Sequence, residues 1–329
     1  MTRPSTDPAE LMSAAEAGDR RALARLLSMV ERGDGAGDPD RPARQVAALA
    51  YRSGEEAATV GITGAPGAGK STLVDRLVSV VRAEGGPVGV LAVDPTSPFS
   101  GGAILGDRVR MQEHALDPGV FIRSMATRGH LGGLALAVPE ALRVLAAAGF
   151  PVLLVETVGV GQVEVEVASA TDTTVVVVNP RWGDAIQANK AGLLETADVF
   201  VVNKADNPGA AETRRDLEQM LDLSNPGGWR PPVVETVATS DQGVGRLWEE
   251  IRRHQLQLAA DGSLERRRRA RLEREFRTVL TARIERDIGA LLSGGEMGSL
   301  LEDVVEHRLD PYEAADRLLG AFGRRPPGA

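Results

Sequence analysis

The sequence predicts an α/β fold: a doubly wound, mostly parallel sheet with helical extensions at both ends. Three observations predict it. Short, continuous apolar runs rich in Val and Ile alternate with helical patterns from residue 58 to about residue 257. Continuous rather than alternating apolar runs belong to parallel strands covered on both faces. Aromatic residues make up only 3% of the chain, so Val, Leu, Ala and Ile must fill the core. Finally, a glycine-rich stretch comes after the first apolar run and opens a helical pattern.

From Pro8 to about Arg32 the pattern is helical, with Leu23, Leu26, Leu27 and Val30 spaced i, i+3, i+4, i+7 on one face. The string GDGAGDPDRPA breaks it, and a second short helix is expected at 45–51. These helices cannot bury their own stripe and must dock on the sheet domain C-terminal to them. Strands are expected at 59–63, 88–93, 120–123, 152–156, 174–178, 199–202 and 233–237, each bounded by Gly, Pro, Asn or Asp. Right-handed crossovers between such strands give a doubly wound sheet. Beyond residue 257 the strand signal stops, and Leu272, Phe276, Val279, Leu280 and Ile284 form another helical stripe. The expected division is a helical extension at 1–55, a nucleotide-binding domain at 56–257 and a helical arm at 258–329.

Composition excludes several function classes. The net charge is −8, which argues against a general nucleic-acid or membrane-surface role. The arginine run Arg266, Arg267, Arg268, Arg269 alternates with Glu265, Glu273 and Glu275, and reads as the solvated face of a helix rather than a polyanion patch. There are no cysteines, which excludes disulfides, thiol nucleophiles and thiolate metal sites. The opening MTRPSTDPAE has no apolar leader, and no apolar run reaches membrane-spanning length, so a cytoplasmic protein is expected.

The chemistry is concentrated in short motifs. Gly64-Ala65-Pro66-Gly67-Ala68-Gly69-Lys70-Ser71 matches G-x-x-x-x-G-K-[ST] in full, between the strand ATVGIT and the helix STLVDRLVSVV. Glycines let successive backbone N–H groups converge on a phosphate. The helix N-terminus adds its dipole, Lys70 a full charge, and Ser71 a hydroxyl for Mg²⁺. Thr72 comes next in the same turn.

Asn203-Lys204-Ala205-Asp206 comes directly after the strand VFVVN and forms an N-K-x-D string, which reads guanine. The Asp206 carboxylate accepts from the ring N1–H and the exocyclic amino group. Adenine offers neither donor there, and a buried polar group left unpaired discriminates by roughly 10⁴–10⁵. Lys204 is expected along the base, and Asn203 is expected to tie the string to the phosphate loop.

Three carboxylates point to a metal at the same end of the sheet. Glu156 ends PVLLVE, Asp94 ends VGVLAV, and Asp107 lies in GGAILGDRVRM. Strand C-termini are where α/β sheets bind ligands. Asp94 and Glu156 are candidates for metal or metal-water ligation, while Asp107 is either a ligand or a helix N-cap.

The strings LAVDPTSPFSGGAILGDRVRM, FIRSMATRGHLGGLA, LVETVGVGQVE and WGDAIQANKAG together resemble the MeaB/MMAA/ArgK family, G-protein chaperones of cobalamin-dependent acyl-CoA mutases. The resemblance covers roughly residues 10 to 255. It implies a P-loop GTPase using GTP/GDP and Mg²⁺, with Lys70, Asp94, Asp107 and Glu156 at phosphate, magnesium and catalytic-loop positions. It implies a third switch over residues 181–190, where Asp184, Gln187 and Lys190 match. It also implies an adenosylcobalamin-dependent mutase as partner and a homodimer, although the terminal helices alone suit a cap on the core equally well. Arg181-Trp182, Val163 and the base-backing Val237-Ala238-Thr239 depart from the family pattern. A kinase, or a scaffold that holds GTP without hydrolysing it, remains open beside the GTPase reading.

Overall fold

The computed structural model describes residues 6–32, 42–54, 56–95, 112–114, 116–127, 133–157, 169–180, 196–223, 228–292 and 295–322. They cluster into two compact units, residues 1–276 and 277–329. Asp107, Val163, Arg181, Trp182, Asp184, Gln187 and Lys190 fall outside the described residues.

All seven expected strands form: β1 (Ala58–Gly64), β2 (Val88–Pro95), β3 (Val120–Thr127), β4 (Val152–Thr157), β5 (Thr173–Val178), β6 (Val199–Asn203) and β7 (Val233–Thr236). They pair in parallel in the order β3-β2-β4-β1-β5-β6-β7. From β1 the chain runs first toward the β3 edge and later returns past β1 toward β7. The β1 C-terminus is therefore the switch point where such sheets bind ligands.

Strand side chains alternate between two cores. Val60, Ile62, Val90 and Leu154 pack with α4 (Lys70–Ala83), α6 (Ala210–Leu223) and α7 (Val244–Ala260), through Leu77, Leu217 and Ile251. Leu91, Val93, Leu153 and Val155 face α5 (Gly133–Ala147) and the N-terminal helices. Those helices are α1 (Pro8–Glu16), α2 (Arg20–Arg32) and α3 (Pro42–Ser53), and they dock their stripe here as expected, with Leu26, Leu27 and Val46 fully enclosed.

Two expectations need correction. The stretch from Pro8 to Arg32 is two helices, because Gly18 turns the chain at φ +92°. Asp19 then caps α2, its Oδ1 accepting from the backbone N–H of Arg21 at 2.8 Å and of Ala22 at 3.3 Å. The arginine run is exposed at Arg266, Arg267 and Arg269 and half-buried at Arg268, but it also pairs inward, which its own helix pattern does not show. It lies on α8 (Ser263–Leu292), where Arg267 pairs with Asp198 at 2.9 Å and Arg268 with Asp172 at 3.0 Å. Arg271 joins Asp172 at 2.9 Å, and Arg267 stays exposed like Arg266 and Arg269 despite its ion pair. Asp172 and Asp198 immediately precede β5 and β6, so this cluster pins α8 to the sheet edge opposite the phosphate loop. Burial would raise both carboxyl pKa values, but the arginines, and His254 beside Asp198, hold them below the ordinary range. Two further helices, α9 (Gly295–Val305) and α10 (Pro311–Phe322), complete the second unit.

Candidate active site

The β1 C-terminus turns sharply at Gly64, where φ is +133° and a Cβ would sit 2.0 Å from the Val177 carbonyl oxygen. Only glycine fits there. Gly69 (φ +90°) precedes Lys70, the first residue of α4, and a Cβ on it would meet Asn203 Nδ2 at 2.5 Å. The loop is thus pressed between β5 and the N-K-x-D string, with its backbone turned toward the α4 N-terminus.

Side chains hold this cradle. Lys70 is 6% exposed and donates from Nζ to the carbonyls of Gly64 (2.8 Å) and Ala65 (3.1 Å). Ser71 donates from Oγ to Glu156 Oε1 at 2.6 Å, and both residues are buried. This joins the start of α4 to the end of β4. A hydroxyl and a carboxylate oxygen at that separation are hard donors, of the kind Mg²⁺ prefers. Behind them the buried hydroxyls of Thr157 and Thr63 bond at 3.1 Å, tying the ends of β4 and β1.

Asn203 links the phosphate loop to the segment that follows β7. Its Nδ2 donates to the Ala68 carbonyl at 2.8 Å. Its Oδ1 accepts from Thr236 Oγ1 at 3.0 Å and from the Ala238 N–H at 3.2 Å. Lys204 takes the left-handed conformation (φ +60°), and its exposed side chain donates to the Gly67 carbonyl at 2.8 Å. Asp206 is exposed two residues on. Val237, Ala238 and Thr239 succeed β7 and lie beside this string through the bond from the Ala205 N–H to the Thr236 carbonyl at 3.0 Å.

The structure therefore brings the loop, Ser71, Glu156, Asn203, Lys204 and the 237–239 segment together. The Asp94 backbone lies at the C-terminal end of β2, two residues beyond Ala92, which pairs with Glu156. Its side chain, like Asp107, Asp184, Gln187 and Lys190, is not among those described. Sequence reasoning missed Thr236 and the Thr63–Thr157 hydroxyl pair. The available signal was a Thr near the end of each of three strands. It also missed Asp75 on α4, which is 4% exposed, its Oδ1 3.4 Å from His114 Nε2, with its pKa raised by burial.

With this geometry in place, comparison with known proteins decides the family. A family model described as methylmalonyl-CoA mutase-associated GTPase MeaB matches residues 23–290. The chain belongs to this family. A Pyrococcus abyssi protein named as a GTPase is 50% identical over 314 residues, 94% of this chain and 95% of that one. The mouse methylmalonic aciduria type A homolog, mitochondrial, is 36% identical over 272 residues, 81% of this chain and 66% of that one. Among solved structures, a LAO/AO transport system kinase matches with TM-score 0.70 at 26% identity, covering 98% of this chain and 100% of that one. The MeaB-family chain is thus a GTPase on a P-loop fold with helical extensions.

Among the described residues no helix is long and apolar enough to cross a membrane.

Proposed function

We propose that this MeaB-family GTPase hydrolyses GTP with Mg²⁺ and couples that cycle to the assembly and protection of an adenosylcobalamin-dependent acyl-CoA mutase. The observation that carries the hydrolytic half is the buried bond from Ser71 to Glu156 beside the phosphate loop, 2.6 Å long. The mutase half is supported by the family description, which names methylmalonyl-CoA mutase association, and by the name of the mouse relative.

In this reading the glycine loop and the α4 N-terminus hold the β- and γ-phosphates. Lys70 leaves the Gly64 and Ala65 carbonyls and neutralises charge that develops on the phosphates. Ser71, Asp94, Asp107 and Glu156 would hold Mg²⁺, which would supply charge neutralisation to the phosphates. Glu156, fixed at the end of β4, orients the attacking water. Asp206 reads the guanine edge and Asn203 keeps the base and phosphate halves in register. The segment carrying Asp184, Gln187 and Lys190 relays nucleotide state to the partner.

The 258–329 arm supports a homodimer, because Leu272, Phe276, Leu280 and Ile284 on α8 are 42%, 67%, 47% and 44% exposed at i, i+4 spacing. On this reading the protein is cytoplasmic, with the GTPase domain at 56–257 and the helical extension at 1–55.

Single-turnover phosphate release tests the proposal, with GTP and Mg²⁺, alone and with an adenosylcobalamin-dependent acyl-CoA mutase. Slow basal release that the mutase changes supports it. Phosphate transferred to an added small molecule in place of release would make the chain a kinase. GTP bound but never cleaved would make it a scaffold.

A further inference from the structure

A cavity of about 330 Å³ opens at the edge of the sheet opposite the nucleotide cradle. Its walls come from α3, the start of β1, α5 and the first half of α8, all within residues 1–276. The floor is alkyl: Ala57, Leu142, Ala146 and Leu153 are each at most 8% exposed and all line it. The size and lining match those of small-molecule sites, which are mostly apolar with a few fixed polar groups.

Charge at the rim narrows the occupant. Three arginines line the cavity and each already has a carboxylate. Arg143 meets Glu275 through both terminal nitrogens, and Arg268 and Arg271 share Asp172. Arg268 also pairs with Glu56. A charged ligand would compete with these pairs, and removing one partner of a buried pair is costly. A neutral ligand breaks none. Planar guanidinium faces and the Tyr51 ring, with Arg143 5.8 Å from its centroid, offer stacking surfaces at the mouth.

We infer that this cavity is a second ligand site, separate from the nucleotide site, for a neutral aromatic molecule of one or two rings. Ala57 and Asp172 lie just before β1 and β5, whereas the phosphate loop leaves the far end of β1, so the strand length of roughly 20 Å separates the two sites. Binding there leaves GTP affinity unchanged.

Indole serves as the probe, with indole-3-acetate as the anionic control, on the full chain saturated with GTP, read by calorimetry and saturation-transfer NMR. Indole binds at on the order of 0.1–1 mM, and indole-3-acetate binds at least tenfold more weakly. Ala146→Phe, which fills the floor, weakens indole at least tenfold while GTP titration remains normal. If Ala146→Phe loses GTP binding through misfolding, Ala50→Leu on the α3 wall takes its place, with the same expectation. Absence of indole binding, binding insensitive to the filling variant that retains GTP affinity, or equal binding of indole-3-acetate would each overturn the assignment.

Discussion

Glu140 on α5 gives a sharp test of the electrostatics around the second core. It is part-buried, and burial raises its carboxyl pKa from the ordinary 4.5 to about 7, a rise opposed by Arg143 and reinforced by Glu275. Between those two pH values the folded chain holds a proton that the unfolded chain has released. Stability therefore falls as pH rises through this window and levels off above it. At 1.36 kcal/mol per tenfold, the step from 4.5 to about 7 corresponds to about 3 kcal/mol. Residual solvent contact screens part of that, so about 2 kcal/mol is the expected penalty at pH 8. Glu140→Gln keeps the shape and removes the titration. Urea unfolding, monitored by fluorescence of the buried Trp248 at pH 4 and pH 8, measures the difference. The variant gains about 2 kcal/mol at pH 8 and nothing at pH 4. A gain that is the same at both pH values, or a loss at pH 8, would show that Glu140 is not held protonated by burial.

The remaining predictions concern the site and the α8 anchor. Lys70→Ala weakens GTP binding by roughly 10–100-fold, since a charge-assisted contact of about 1.5–3 kcal/mol is lost; calorimetric titration measures it. Glu156→Gln keeps nucleotide affinity within a few-fold but slows single-turnover hydrolysis. If it loses binding as Lys70→Ala does, Glu156 is structural. Asp172→Ala strands Arg268 and Arg271 and lowers stability by about 3–5 kcal/mol. Because the Asp172 pKa is lowered in the fold, the stability it contributes is present above the ordinary 3.8 and drains away as pH falls below it. The gap between wild type and Asp172→Ala therefore narrows in acid, and a gap that widens there contradicts the pairing.

Most of the fold was legible because its signals are local. Each strand is a β-branched run covered on both faces, so periodicity and bounding residues suffice to find it. The phosphate loop and the N-K-x-D string were legible for the same reason: each is a contiguous string at a strand end. What escaped was decided by partners far away in sequence. The arginine run reads as solvated within its own helix, yet Asp172 and Asp198 lie about 70 to 100 residues earlier and claim Arg267, Arg268 and Arg271. Thr236 supports Asn203 across 33 residues, and Thr157 reaches Thr63 across 94. The break before α2 was local, but a single Gly-Asp pair inside a strong apolar stripe was outweighed by the periodicity.

Base exchange is the sharpest test of guanine reading through Asp206. Asp206→Asn offers an amide N–H where the carboxylate accepted, and xanthine carries a carbonyl where guanine carries an amino group. Titrating wild type and variant with GTP and xanthosine triphosphate gives four affinities. The variant is expected to lose GTP by at least 10²-fold and to gain xanthosine triphosphate by a comparable factor. Unchanged GTP affinity in Asp206→Asn, with phosphate-loop binding intact, would contradict guanine reading through Asp206.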